Sequence, residues 1–485
     1  MLITENASRP QSLTRTQSAR LLMACSVLAG ALIGLLSSPL AASDHADPID
    51  FTRKKPLEPG ITDLFFFPVD GEGRVVNLYK DNDSIPLHPL LGCDTRDPGK
   101  SCHLPKRSEV SAEQRQQIKA FVVILCVRRA LTQTNSLHLE PYTYKIHMDT
   151  QSPIEFDDAS SGMASGSEAG TGYGQGTGPK NGRPNVEEAV ARYGGKIAQP
   201  DKIHDNIVIE LSLHNDASLN GDAKITGLRE AGGIVYHSFA DKSATWSPNE
   251  VHLRTGIRDD PFIFPPFFGT NVVAMVLSIP SHCFDGEKLN WLVWATTHQG
   301  QRQIDHVGRS LRTQNPRFEL LNTLHPRDHV AAITKEFADP SLMRDVGLWL
   351  NFQQLFAYRE WDFVPDVMVY TTRFPVGYPN GRYLTDDVAA LLAQHGDTLL
   401  LELSHNKGQW PRHTTNDKKF SETFPYLADP HADKKPAEPY HLSMKNTLIL
   451  WTIGIVIAVI VVLAIVQVVQ LIRWWLGLRC RRRPL

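Results

Sequence analysis

Short runs of apolar, β-branched and aromatic residues, most of them closed by turn-forming residues, recur through the middle of this chain. Leu64–Val69, Val75–Tyr79, Phe121–Val127, Tyr142–Met148, Ile207–Leu213, Val272–Ile279 and Leu289–Ala295 have the length and residue types of strands. Tyr142–Met148 alternates polar and apolar positions, so one of its faces meets water. Helical spacing is rarer. Asp328–Phe337 and Met343–Leu355 show it, and Leu384–His395 shows it best: Thr385 can cap, Asp386 and Asp387 suit the first turn, and Gly396 ends it. The pattern predicts a mainly β, β-sandwich-like single large domain with a few peripheral helices. Two packed subdomains are the alternative.

Two segments break the pattern. From Asn446 to Ile472 there is no charged residue; Lys445 precedes the run, and Arg473, Arg479, Arg481, Arg482 and Arg483 follow it. That is the signature of one transmembrane helix with a basic cytoplasmic end. At the other terminus, Arg9, Arg15 and Arg20 lead into apolar Leu21–Leu36 and then small residues up to Ser43, as in a signal peptide cut after Ala42 or Ser43. An uncleaved anchor, giving two spans, is the alternative. The expected order is signal peptide 1–42, a β-rich extracytoplasmic domain 43–404, a polar stalk 405–445, the transmembrane helix 446–472 and a basic tail 473–485. The Gly/Ser-rich stretch 160–184 reads as a flexible insert rather than a phosphate loop. This places the domain in the periplasm or at the cell surface.

The exported part, about 400 residues, is long enough for a large core. The net charge of −2 gives no basic field, so no nucleic-acid partner is expected. Cys93 and Cys102 flank a polar loop and suit a disulfide in an oxidising compartment. Cys126 and Cys283 sit beside apolar runs, as buried thiols or a second pair. There is no nucleophile elbow, no zinc-protease helix, no phosphate loop and no haem-attachment motif.

Four polar clusters could carry chemistry. Asp44, His45 and Asp47, near the mature terminus, offer oxygen and imidazole ligands for a divalent cation, or simply form a solvated end. Asp259 and Asp260 precede Pro261, so Asp260 is not helical. They could chelate a metal, or Arg258 could pair with a carboxylate to order the aromatic residues that follow. Asp305 and His306 form an acid–base couple by composition only, because neighbours on a strand face opposite ways; Arg309 stands close by. Arg382 precedes the last helix and is not explained by its capping.

In this order, several motifs together resemble the bacterial family called domain of unknown function 4331. They are Ser43-Asp44-His45, Thr62-Asp63-Leu64-Phe65, Arg258-Asp259-Asp260-Pro261-Phe262, Asn271-Val272 to Ile279-Pro280 and Asp305 to Arg309. Pro365-Asp366-Val367, Asn380-Gly381-Arg382 to Asp386-Asp387-Val388, and Phe424-Pro425-Tyr426-Leu427 complete the set. The resemblance implies an exported β-rich protein and carries no established activity. It marks Asp63, Arg258, Asp305, Arg309, Arg382, Asp386 and Asp387 as motif residues. His306 departs from the pattern, where an Arg is more usual.

Three functional expectations follow. The first is a membrane-anchored binding or scaffold domain stabilised by a divalent cation, with calcium the first choice for an oxygen-rich set. The second is a metal-dependent hydrolase-like enzyme with Asp44, His45 and Asp259 in one site. The third is a subunit of a membrane complex with protein partners, which an exposed apolar patch would mark.

Overall fold

The structure is a computed structural model that describes residues 60–76, 84–86, 103–105, 109–128, 139–156, 192–214, 221–263, 268–284, 290–313, 315–394 and 415–432, with isolated positions from 456 to 470. Its strands in chain order are β1 (Ile61–Val69), β2 (Ser84–Pro86), β3 (His103–Pro105), β4 (Ala120–Arg128), β5 (Tyr142–Asp149), β6 (Ile154–Glu155), β7 (Lys196–Ile197) and β8 (Ile207–Leu213). They continue with β9 (Gly221–Thr226), β10 (Val235–Ser238), β11 (His252–Asp259), β12 (Asn271–Pro280), β13 (Asn290–Gln299), β14 (Arg302–Val307) and β15 (Met368–Thr371). The helices are α1 (Ala112–Arg115), α2 (Pro326–Ala338), α3 (Leu342–Trp349), α4 (Gln353–Phe356) and α5 (Val388–Gln394).

Two large sheets dominate, so the protein is mainly β, as expected. One runs β1-β4-β12-β11-β10 and the other β14-β13-β5-β8-β9. β15 shares an edge of β13 with β14: Asn290–Val293 pair with Met368–Thr371, and Ala295–Gln299 with Arg302–Val307. All neighbours are antiparallel except β10 and β11.

Both sheets feed one hydrophobic core. β1 is buried at every position and β12 at all but its first, which is why their sequences are continuous apolar runs rather than alternating ones. β8 does alternate, with Ile207, Ile209, Leu211 and Leu213 buried. At the centre Phe66 stacks on Phe121 at 5.7 Å, Phe121 meets Trp291 at 4.8 Å, and Tyr370 sits edge-on to Phe66 at 5.1 Å. Such pairs add ~0.5–1.5 kcal/mol each beyond the area they bury.

Several expected elements change. Val75–Tyr79 supplies only a single bridge, Val75 to Val69, with residues beyond 76 outside the described ones. Met343–Leu355 is two helices, α3 and α4, because Asn351 takes a left-handed conformation (φ 66°) between them. The last helix begins at Val388, not Leu384. Asp387 carbonyl accepts from Leu391 N–H, while the Asp386 carboxylate closes the preceding turn by accepting from Tyr378 N–H and Tyr383 N–H. Thr385 is therefore not its cap. Part of the expected stalk, 405–445, is folded: within it Tyr426 is fully buried and packs on Phe67 at 5.2 Å.

Cys126 and Cys283 are buried free thiols. The signal peptide, the 160–184 insert and the Cys93–Cys102 pair lie outside the described residues. Among the described residues no helix is long and apolar enough to cross a membrane. The 446–472 run falls almost wholly outside them, with its described positions helical.

Asn380 holds the loop between β15 and α5. Its amide nitrogen donates to the carbonyls of Thr371, Phe374 and Pro375, and its oxygen accepts from Thr371 N–H at 2.8 Å. Asn380→Ala leaves these buried groups without partners and should cost about 3 kcal/mol. Denaturant unfolding of the variant checks this: a loss below about 1 kcal/mol would show that the loop holds without the amide.

Candidate metal centre

β11 ends at Asp259, and Pro261 prevents the chain from continuing as a regular strand. The late segment 415–432 returns along this strand end. Ala428 carbonyl accepts from Asp259 N–H, and Arg258 pairs with Asp429 while lying over the Phe239 ring at 4.0 Å. Lys418 Nζ donates to the carbonyls of Asp429 and Pro430. Asn271, the first residue of β12, brackets His431: its amide donates to His431 carbonyl at 2.9 Å and its oxygen accepts from His431 N–H at 2.8 Å.

These contacts bring Asp259, Asp417 and His431 together. His431 Nε2 lies 2.8 Å from Asp259 Oδ1 and 3.3 Å from Asp417 Oδ2, and one ligand atom from each residue falls within 4.8 Å of the others. Asp417 is fixed by Gly269 N–H at 2.7 Å, and the other Asp259 oxygen accepts from Asn416 Nδ2 at 2.7 Å. Despite this proximity, Asp259 Oδ1, His431 Nε2 and Asn416 Oδ1 are buried atoms without a hydrogen bond among the described residues. The imidazole and the carboxylate are close but not aimed at each other as donor and acceptor. Burial, then the neighbouring Asp417, pushes the Asp259 carboxyl up to about 6. Ligand atoms on one tetrahedral zinc ion are roughly 3.3 Å apart for bonds of about 2.0–2.1 Å. The spacing and the unmet polar atoms both suit a cation.

The structure thus keeps Asp259 as a candidate ligand and removes Asp260. Asp260 turns inward, accepts from Phe262 N–H at 3.0 Å and from Thr270 Oγ1, and its carboxyl is held well above the usual range by burial and by Asp63. Its two oxygens serve the turn through Phe262 and Thr270, and it is not among the three residues that converge. Asp44, His45 and Asp47 lie outside the described residues. Asp417, His431 and Asn416 were missed because their segment reads as a polar stalk; its aromatic cluster Phe424-Pro425-Tyr426 was the available signal that it folds back.

The remaining motif residues form internal supports. Asp305 accepts from Ile61 N–H at 2.9 Å, tying β14 to β1 across the sheets, while His306 on the same strand donates toward Asp366 carbonyl at 2.7 Å. The two side chains do serve opposite partners. Asp63 meets Arg382 Nη2 at 3.3 Å, with the guanidinium 4.0 Å over the Phe65 ring. Asp366 accepts from the backbone N–H groups of Gly308 and Arg309, fixing the turn after β14. Burial, with Arg312 nearby, lowers Arg309 to about 10.

One further constellation was not foreseen. Asp205 Oδ2 meets His147 Nδ1 at 2.9 Å, and His147 Nε2 meets Thr296 Oγ1 at 2.8 Å. This is the connectivity of an acid–imidazole–hydroxyl relay. Thr296 is only 1% exposed, however, and His147 is stacked flat on Trp294, so the hydroxyl offers no surface to a substrate. The relay ties β5 to β13 as a buried polar bridge.

No family model, curated protein or solved structure matches this chain.

His329, on α2, is fully buried and its two nitrogens have fixed roles. Nδ1 accepts from Asp366 N–H at 3.0 Å, and Nε2 donates to Leu324 carbonyl at 3.1 Å. Burial, then nearby His306, keeps its proton affinity well below the ordinary histidine value. The unfolded chain therefore takes up a proton below about pH 6.5 that the folded chain refuses, so stability is full above that pH and falls as pH drops. Unfolding free energy measured from pH 7 to 5 should decline, and in His329→Gln the slope should be shallower by up to about 1.4 kcal/mol per pH unit. Equal slopes would assign the acid sensitivity to other groups.

Proposed function

We propose that this chain is a membrane-anchored extracytoplasmic binding or scaffold domain in which Asp259, Asp417 and His431 hold one divalent cation. The carrying observation is the convergence of buried, unbonded Asp259 Oδ1 and His431 Nε2 beside Asp417. An imidazole among the ligands moves the choice from calcium, which takes six to eight oxygens, toward zinc or another borderline metal. The ion links the end of β11 to the 415–432 segment. It thereby staples to the sheet the stretch that, in sequence, precedes the apolar run 446–472. The ordered motifs support placement with the domain of unknown function 4331 family, and the charge pattern at the two ends supports export and anchoring.

A specific observation favours a protein partner as well. On α3, Leu342, Met343, Val346 and Trp349 are exposed at 81%, 56%, 41% and 73%, while Arg344 and Gly347 face inward. Phe352 continues the exposed face. A helix with its apolar side outward and an arginine inside is built for a surface that covers it. We read it as the contact with another subunit at the membrane.

Zinc titration of the full chain in detergent, after chelator dialysis, tests the first reading. One saturable site is expected, with a melting temperature that rises as zinc is added, by about 2.7 kcal/mol of stabilisation at a hundred times Kd. Asp417→Asn, an exposed position, should weaken binding at least tenfold and leave the metal-free fold intact. The absence of saturable binding by zinc, manganese and calcium would overturn the cation assignment.

For the partner, Trp349→Glu with Val346→Glu should leave the melting temperature within about 1 °C, because both side chains already face solvent. Native electrophoresis of solubilised membranes should show the wild-type chain in a complex that the double variant has lost. Identical migration of the two would remove α3 as the contact.

A further inference from the structure

The turn after β14 forms one wall of a small cavity of about 70 Å³, closed by Tyr193 and Trp361 and by residues of the 309–318 segment. At ~10–15 Å³ per water on this measure, it holds several waters or one small anion. Its walls carry the side chains of Arg192, Arg309, Arg312, Arg317 and Arg359 against one carboxylate, Asp362.

Two of these guanidiniums are buried and have no carboxylate in contact among the described residues. Arg309 donates to Pro365 carbonyl at 2.9 Å and lies 4.2 Å over the Tyr193 ring. Arg312 donates to the carbonyls of Pro365, Asp362 and Val364. Carbonyls fix the position of such charges without neutralising them; the buried Asp366 carboxylate acts on both from a distance while it is engaged by two backbone N–H groups, and the second buried arginine alongside adds repulsion. Between them stands Ser310, a residue of the cavity wall only 3% exposed, whose buried hydroxyl has no hydrogen-bond partner among the described residues. The next residue, Leu311, is held in a left-handed conformation (φ 60°), a costly geometry for a branched side chain. Asp366 pins this turn through Gly308 and Arg309 N–H, and at Gly308 a Cβ would lie 2.2 Å from Asp366 carbonyl oxygen.

From this geometry we infer that the cavity is a binding site for a tetrahedral oxyanion, a free phosphate or the phosphate group of a small monoester. The anion neutralises Arg309 and Arg312, accepts from the Ser310 hydroxyl, and is closed in by Arg192 and Arg359 at the half-buried rim. Planar guanidiniums present paired N–H donors that match phosphate oxygens. The site is independent of the Asp259–Asp417–His431 cluster and needs no cation.

The test is calorimetric titration of the full-length protein in detergent with inorganic phosphate and with glycerol 3-phosphate, against chloride at matched ionic strength. Saturable binding is expected with one of the two, and the tighter probe shows whether the free ion or an ester is the ligand. Ser310→Ala removes a hydroxyl that has no partner among the described residues, so the variant should melt at the wild-type temperature or slightly higher in chloride. Its affinity for the anion should fall about tenfold. Arg192→Ala should also weaken binding while leaving the fold unchanged. Two results would overturn the assignment: no saturable binding of either probe by the wild-type protein, or wild-type affinity in both variants.

Discussion

The fold depends on one close approach of main chain to main chain. Phe66, in the middle of β1, exchanges both backbone hydrogen bonds with Arg382, and at Gly381 a Cβ would stand 2.6 Å from Phe66 carbonyl oxygen. Gly381 is left-handed (φ 68°), so only a residue without a side chain fits there without strain. Because β15 pairs with β13 and Gly381 N–H donates to Val369 carbonyl, this loop joins the edge of one sheet to a strand of the other. The Arg382 guanidinium then lies over Phe65 and beside Asp63, so a charged side chain completes the core where the two sheets come together. A buried pair of this kind is weak evidence for net stability, but removing one partner alone strands the other.

How much of this was legible in the sequence depends on the kind of strand. β1, β4, β8, β12 and β13 are dominated by apolar residues and could be placed within a few positions. β11 reads His252-Leu253-Arg254-Thr255-Gly256-Ile257-Arg258-Asp259 and is nonetheless nearly all buried. Its arginines are satisfied by distant groups: Arg254 by the carbonyls of Asp241 and Ala244, Arg258 by Asp429 and the Phe239 ring. No periodicity could show that. β9 and β10 are edge strands without a clear apolar face, and β15 is four residues long. Asp259 was recognisable as a candidate ligand because it stands beside a second carboxylate, Asp260, in a turn set by Pro261. Asn416, which touches it, lies 157 positions away, and only the fold brings that segment back.

Three polar constellations in one domain differ mainly in what can reach them. The Asp205–His147–Thr296 relay has the distances of a nucleophilic system, yet its atoms satisfy one another and its hydroxyl is covered. The Asp259 cluster has the reverse character: atoms at short distance that do not satisfy one another, with Asp417 at the surface. In the arginine-lined cavity Arg309 and Arg312 hydrogen-bond to neutral carbonyls, with the Asp366 carboxylate acting on them only from a distance. Buried polar groups in native proteins are overwhelmingly paired. Close packing without pairing is what the two proposed sites share, whereas the complete network of the relay serves structure.

This criterion also orders the motif residues. Asp63, Asp305 and Arg382 each close a contact between segments far apart in sequence, whereas Asp386 closes a local turn, so these residues serve the assembly of two sheets around a loop. Asp259 and Arg309 belong to the same motifs but stand where the network stops being closed: the first opens onto Asp417 and His431, the second onto the cavity beside Ser310. A turn that is rigid for structural reasons is already suited to binding, because its donors lose little further freedom when a ligand arrives. Asp366 illustrates the connection. By gripping Gly308 and Arg309 N–H it completes the scaffold, and the same grip sets the wall from which Arg309 and Ser310 face the cavity.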